Sequence, residues 1–236
     1  MPLSSIPVIT IDGPSGSGKG TISQLLATRL GFHLLDSGAL YRLAAVAASR
    51  RHIDLHDADK VADVARNLAV EFATDSGEVV IRLDGDDVTR AIRRESVSMN
   101  ASIIAAQPAV REALLSRQRD FRKMPGLVAD GRDMGTTVFP NAGLKIFLTA
   151  STEQRAQRRY KQLIDKGESV NLSALLKEVE ERDKRDMQRS ASPLLEGADA
   201  VEIAGAIKID STSLSIDQVL TLILELVDER RLTITS

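Results

Sequence analysis

Cysteine is absent from the 236 residues, which removes disulfides, thiolate metal sites and cysteine nucleophiles together. Also missing is any run approaching the ~18 uninterrupted apolar residues of a membrane span. The opening MPLSSIPVIT lacks the charged-then-apolar build of a signal peptide. Nor does one charge dominate. The formal net charge is -2 and the isoelectric point lies near 6.0, so no general affinity for nucleic-acid polymers or membrane surfaces is expected. The three histidines, His33, His52 and His56, are scattered without metal-ligand spacing. There is no internal repeat and no low-complexity tract. These absences leave a soluble, cytoplasmic protein as the expectation, with small acidic ligands still open.

Hydrophobic residues make up 43% and charged residues 27% of the chain, close to the globular average. The length suits one large domain or a core carrying insertions. Of the 31 cationic residues only nine are Lys, leaving 22 Arg. Arginine's planar fork is favoured where phosphate or carboxylate is gripped by two hydrogen bonds, so the excess asks for an anionic ligand.

Along the chain, Ile6 to Ile11 is a short β-branched run stopped by Asp12-Gly13 and reads as a buried strand. A helix follows from Thr21, with Ile22, Leu25, Leu26 and Leu30 at helical spacing and Gly31 placed to cap it. A second strand, Phe32 to Leu35, leads through Asp36-Ser37 into an Ala-rich helix from about Gly38 to Ala48. Strand, helix, strand, helix implies a parallel sheet. That rhythm breaks from about Leu68 to Val88, where period-two alternation and the turns at Asp75-Ser76-Gly77 and Asp84-Gly85 predict an antiparallel insert.

Helices are expected over Val97 to Ala106 and Ala109 to Lys123, and between Val88 and Lys123 eight Arg and Lys face three acids. Gly126 to Ala129 and Leu144 to Phe147-Leu148 are further core strands ending in polar residues. In an open α/β sheet ligands bind beyond the carboxyl ends of the strands, so Gly13, Asp36, Asp130 and Thr149 are expected at one crevice. Helices follow over about Glu153 to Lys166 and Leu172 to Arg189. Strand candidates lie within Ala200 to Ile209, and a last helix runs from Ile216 to Arg230 with Leu220, Ile223, Leu224 and Val227 as its stripe.

The strongest local signal is Gly13-Pro14-Ser15-Gly16-Ser17-Gly18-Lys19-Gly20-Thr21, a G-x-x-x-x-G-K turn between a strand and a helix. Glycines let the backbone wrap around polyphosphate oxygens, the amides and helix terminus bind the anion, and the lysine reaches the terminal phosphates. The plain alternative is a Gly/Ser-rich turn without a ligand. Gly20 stands where the general loop has a Ser or Thr that ligates Mg²⁺, with the hydroxyl one place later at Thr21. Mg²⁺ would then rest largely on phosphates and waters, with outer-shell help from Asp36 or Asp130; each Asp serves equally well as a simple cap.

On the helix after Leu172, the apolar positions Leu172, Leu175, Leu176 and Val179 are continued in phase by Arg182, Asp186 and Arg189. Charge on a face that should meet the protein suggests a polar cavity; pairing of Arg182 with Asp186 on a solvated face is the other reading. Arg155, Arg158 and Arg159 share a face of the preceding helix, so the two helices resemble an arginine lid.

With GPSGSGKGT, LLDSGALYR (34–42), VREALL (110–115), ADGRDMGT (129–136), KIFL (145–148) and ERDKRD (181–186) in this order, the chain resembles the bacterial cytidylate kinases over essentially its whole length. The resemblance implies an α/β fold, a P-loop three-layer parallel sheet core with an antiparallel β-containing acceptor-binding insert and a helical arginine lid. The core would comprise about 1–36, 124–152 and 190–236, the acceptor region about 37–123, and the lid about 153–189. The activity implied is transfer of the γ-phosphoryl group of ATP, with Mg²⁺, to CMP or dCMP, by a monomer.

Catalysis would fall to Lys19, Arg132 and Arg182, and ATP binding to the loop Gly13 to Thr21 with Arg155 and Arg159. The acceptor would be held by Ser37, Tyr41, Arg42, Ser102, Arg111, Asp133, Arg182, Asp186 and Arg189. A carboxylate accepting from an exocyclic amine suits cytosine, whose N4 is a donor, which gives Asp133 a discriminating role. A P-loop kinase for another acceptor shares the loop and arginines. A GTPase would need an N-K-x-D stretch, which does not occur. A silent nucleotide-binding module sits badly with intact Lys19 and so many arginines, since like charges gathered without an anion are costly.

Overall fold

The run Val8–Asp12 is buried at every position, as a central parallel strand covered on both faces should be. It is β1 of the computed structural model, which describes residues 6–75, 78–165, 167–189, 193–194 and 205–232, with 72–75, 78 and 79 described by their backbone alone. The elements continue with α1 (Lys19–Leu30), β2 (His33–Asp36), α2 (Ser37–Arg50), α3 (Ala58–Arg66), β3 (Val70–Asp75), β4 (Glu78–Leu83) and β5 (Asp86–Asp87). After these come α4 (Glu95–Ala105), α5 (Pro108–Arg119), β6 (Leu127–Gly131), β7 (Leu144–Thr149), α6 (Thr152–Ile164), α7 (Leu172–Gln188), β8 (Ile207–Asp210) and α8 (Ile216–Glu229). They form two compact units, residues 1–36 with 119–236, and residues 37–118.

In the first unit five strands form one sheet in the order β2-β6-β1-β7-β8, and every neighbouring pair is parallel. Register places Asp36 beside Asp130, Asp12 beside Gly131 and Phe147, and Thr149 beside Asp210. All five carboxyl ends therefore lie at one edge of the sheet, where an α/β fold places its ligands. The core joins Ile9 and Ile11 of β1, Ile22 and Leu26 of α1, Val128, Ile146 and Leu148, and Val219, Ile223 and Val227 of α8. Each such side chain stabilises the unit by about 1.5–3 kcal/mol on burial.

Several elements depart from expectation by a residue or more. Helix α1 begins at Lys19 instead of Thr21, because Gly18, left-handed at φ 93, serves as its N-cap. It ends as expected at Gly31, with Phe32 N–H closing on Ala27 O at 2.9 Å. Leu25 is exposed, since the buried face runs through Ile22, Ser23, Leu26 and Ala27. The α8 stripe is centred on Val219, Ile223 and Val227, with Leu220 and Leu224 only partly buried at its margin; Ser215 and Gln218 close a capping box before it. On α7, Leu172 is exposed. The additional length expected before β8 falls from 199 to 204 outside the described residues.

In the second unit β3, β4 and β5 form an antiparallel sheet, as the alternation predicts. Asp84 and Gly85 both take positive φ, 52 and 87, the requirement of a tight hairpin turn. Helix α3 is an element that the motifs leave unread. Asp57 caps it by accepting from Lys60 N at 3.2 Å, and Val61, Val64 and Ala65 are its buried side. Beside it, Leu40, Leu43, Ala44 and Ala48 of α2 and Ile104 of α4 are fully buried.

Candidate active site

Beyond β1 the chain turns sharply at Gly13, whose φ of 151 and approach to the Leu148 carbonyl leave no room for a side chain. From Gly13 to Gly18 it forms a glycine-rich turn that runs into the N-terminus of α1, so amides and helix dipole favour negative charge there. Lys19 opens that helix, is buried, and donates from Nζ to Pro14 O at 3.1 Å. Burial lowers its pKa to about 7, and the nearby Arg132 and Arg182 push the same way against Asp130 and Asp186. Thr21, which carries the hydroxyl one place after Gly20, is exposed on the first turn.

The carbonyl side of the loop is held as firmly. Arg155 Nη1 donates to Ser15 O and Arg158 Nη1 to Ser17 O, each at 3.1 Å. Ser211, just past β8, donates from Oγ to Ser17 O at 3.1 Å and lies within reach of Thr149 O at 3.0 Å. Arg158 Nη2 reaches Ser211 O at 2.6 Å.

At the end of β6 the sequence Asp130-Gly131-Arg132-Asp133 continues into a wide, π-type helical turn, Met134–Val138. The buried Asp12 carboxylate accepts from Met134 N and Gly135 N, both at 2.8 Å. Burial raises its pKa to about 7; the two amides work against that rise, while Asp133 and Asp130 add to it. Asp133 itself is buried. Asp130 is buried beside Gly20, where an added Cβ would lie 3.3 Å from Asp130 Oδ2.

Two ion pairs organise the helices around this edge. Arg132 Nε donates to Asp186 Oδ2 at 2.8 Å, and Arg155 meets Asp183 through Nη1 at 3.1 Å and Nη2 at 2.6 Å. Burial opposes charge on Asp186, but Arg132, Arg189 and Arg182 outweigh it and hold its carboxyl below the ordinary range. Arg189 is buried and Arg182 half-buried. Asp186 thus faces inward and is paired with Arg132 outside its own helix, so pairing on a solvated face does not describe it. Arg159 is half-buried, its pKa lowered by burial and drawn back by Glu168 and Glu178.

The remaining expected residues lie in the second unit. Ser37, Tyr41, Ser102 and Arg111 are buried and Arg42 half-buried. The Arg111 guanidinium stands 5.8 Å from the Tyr41 ring centroid, within cation–π range, and donates from Nη1 to Ala105 O at 3.1 Å.

A profile of the cytidylate kinase family matches residues 9–229. The chain is 56% identical over 229 residues to the cytidylate kinase of Stutzerimonas stutzeri (strain A1501), covering 96% of this chain and 97% of that protein. It is 60% identical over 216 residues to the cytidylate kinase of Pseudomonas fluorescens (strain Pf0-1), covering 91% and 92%. To the cytidylate kinase of Aeromonas salmonicida (strain A449) it is 55% identical over 224 residues, covering 95% of both. The chain belongs to the cytidylate kinase family.

Within this cytidylate kinase family member, Asp12 and Asp183 join the site although the sequence reading named neither as a site residue. Asp12 reads locally as the turn that ends β1. Its partners stand 122 and 123 residues away, so only its position directly before Gly13 hinted at a role. Asp183 lies inside ERDKRD, between Arg182 and Asp186, but off the stripe counted from Leu172; a stripe drawn one position later would have included it. Among the described residues no cluster of three or more His, Cys, Asp or Glu is placed to hold a metal, and no helix is long and apolar enough to cross a membrane.

Proposed function

We propose that this member of the cytidylate kinase family transfers the γ-phosphoryl group of ATP to CMP or dCMP, giving ADP and CDP or dCDP, with Mg²⁺. The observation that carries the reading is the cationic cluster at the end of the phosphate-binding loop, buried Lys19 with the half-buried Arg132 and Arg182 near it, in which Lys19 is depressed to about 7 by burial and by its own cationic neighbours. Cations gathered this way are stabilised by a polyanion, and charge spread over the moving phosphoryl group is what phosphoryl transfer must neutralise.

On this reading the loop Gly13 to Thr21 binds the phosphates of ATP, and Lys19 donates to the oxygens of the moving group. Arg132 and Arg182 neutralise charge on its other side. Asp186 orients Arg132 through their 2.8 Å pair and, with Arg189, holds the acceptor's phosphate and sugar hydroxyls. Asp133 accepts from the cytosine amine, and Ser37, Tyr41, Arg42, Ser102 and Arg111 complete acceptor recognition. Mg²⁺ fits the site in one respect: Gly20 lacks the ligating hydroxyl, and the Asp130 carboxylate approaches the space that a side chain there would fill. Asp130, with Asp36 beside it in register, would hold the ion through water, an arrangement usual for Mg²⁺ on phosphates. The bound ion would supply charge neutralisation on the phosphates. The same reading carries with it a cytoplasmic monomer acting on diffusible nucleotides.

The test is ADP formation from ATP-Mg²⁺ with CMP, dCMP, UMP, AMP, GMP or shikimate supplied in parallel. Strong turnover is expected with CMP and dCMP. Turnover with a different acceptor would keep a P-loop kinase but discard the acceptor roles, and nucleotide binding without turnover would discard the activity. With Asp133→Ala, the preference for CMP over UMP should fall about tenfold, and an unchanged ratio would remove Asp133 from base recognition.

A further inference from the structure

Peptide geometry ties each carbonyl to the amide that follows it, since the C=O of one residue and the N–H of the next share a plane and point in opposite directions. In the loop after β1, the carbonyls of Ser15 and Ser17 are gripped by side chains from α6 and from the turn after β8. Holding those two oxygens also aims the amides of Gly16 and Gly18 away from the gripping groups. The loop rests directly on α6: a Cβ on Gly16 would lie 3.0 Å from Arg155 Cβ and 3.2 Å from Arg155 O.

Arg155 is 3% exposed and fully engaged with the protein. Nε donates to Ala150 O at 3.0 Å, Nη1 to Ser15 O and Asp183 Oδ1 at 3.1 Å each, and Nη2 to Thr152 Oγ1 at 3.1 Å and Asp183 Oδ2 at 2.6 Å. A guanidinium offers five N–H groups, and these contacts occupy all of them. Resemblance assigns Arg155 to the nucleotide; its geometry does not leave a donor to give.

We propose that Arg155, locked by Asp183, is a positioning residue that holds the phosphate-binding loop in its anion-receiving shape before nucleotide arrives, and is not itself a nucleotide ligand. Asp183 stands between Arg182 and Asp186 on α7, so the same pair ties the register of that helix to the loop. The consequence for catalysis rests on the proposed ATP-binding function; the shape of the loop in the free protein does not.

The experiment measures two quantities on the full chain: amide hydrogen exchange of residues 13–20 without ligand, and calorimetric affinities for ATP-Mg²⁺ and for CMP. Arg155→Lys keeps the charge but cannot span Ser15, Ala150 and Asp183 together. It should speed exchange of the loop about tenfold while β7 is unchanged, and weaken ATP about tenfold while CMP stays within about twofold. Weakened ATP binding with unaltered loop exchange would overturn the proposal by making Arg155 a direct ligand. Faster exchange with unaltered ATP affinity would overturn it too, because the loop's shape would then be dispensable. Should Arg155→Lys not fold, Asp183→Asn, which keeps an acceptor oxygen beside Arg155, is read against the same two outcomes. Loop exchange that responds as expected in a protein without CMP turnover would leave this inference standing and remove the proposed activity.

Discussion

In the unit of residues 37–118, Arg50 meets Asp86 at 3.1 Å and Arg66 meets Asp63 at 3.2 Å, with side chains 41% to 72% exposed. In the unit of residues 1–36 and 119–236, Arg132 meets Asp186 at 2.8 Å and Arg155 meets Asp183 at 2.6 Å, with side chains 4% to 15% exposed. The four pairs use the same two residue types at similar distances. What separates them is water. Exposed pairs are screened and contribute about 0–1 kcal/mol, whereas breaking a buried pair strands a charge at about 3–5 kcal/mol. An arginine-rich composition is therefore no measure of a site by itself; depth and partner decide which arginines matter.

The comparison is sharpened most by the charge at its centre. Lys19→Met removes the cation against the loop and should lower kcat by about 10²–10³ while circular dichroism and unfolding midpoint stay close to those of the parent; near-normal turnover would discard its role. Next comes Asp186→Ala, which leaves Arg132 buried without its carboxylate. Urea unfolding should show a loss of about 3–5 kcal/mol, and a loss below about 1 kcal/mol would mean that water reaches the pair.

A smaller effect concerns protons. Because the folded-state pKa of Lys19 is about 7 against an ordinary 10.5, ATP should draw it back up, and calorimetry at pH 7.5 in buffers of different ionisation heat should show uptake of part of a proton. The linkage to stability has a definite sign. Between about pH 7 and 10.5 the unfolded chain holds more protons at Lys19, so this residue makes stability rise with pH across that window. Asp12 acts in the opposite sense below it: raised from 3.8 to about 7, it holds its proton in the folded state, so its contribution declines as pH rises from about 4 to 7. Asp12→Asn should flatten that lower window in unfolding measurements made across it. The smallest change is expected from Arg50→Ala, within about 0.5 kcal/mol of the parent and with kcat unaltered; a larger loss would erase the contrast between the units.

Much of the fold is legible along the chain because its causes are local. Alternation marked β3 to β5, continuous apolar runs marked β1 and β7, and Gly31 marked the end of α1. Helix α3 was harder to read: its apolar stripe is short and Ala-rich, and its cap lies in an Asp-rich stretch that resembles a loop. Start and stop positions slipped where the backbone did something a residue count does not record, as at Gly18. For the candidate site, residue types and order were visible, but who holds whom was not. Arg155 and Arg159 looked alike on one helix face, yet Arg155 is enclosed by five protein contacts while Arg159 lies half-buried near Glu168 and Glu178.

By itself the sequence determined the strand, glycine-rich loop and helix that present Lys19, because turn chemistry, helix initiation and anion-seeking amides all act within a few residues. It also determined the family, through motifs spread over the whole chain. Only the tertiary structure decided the partners of the buried charges: Arg155 with Asp183, 28 residues apart, Arg132 with Asp186, 54 apart, and Asp12 with the amide of Met134, 122 apart. A charge removed from water must be met by whatever the packing brings within about 3 Å, and that neighbour is set by which strands and helices the fold lays side by side.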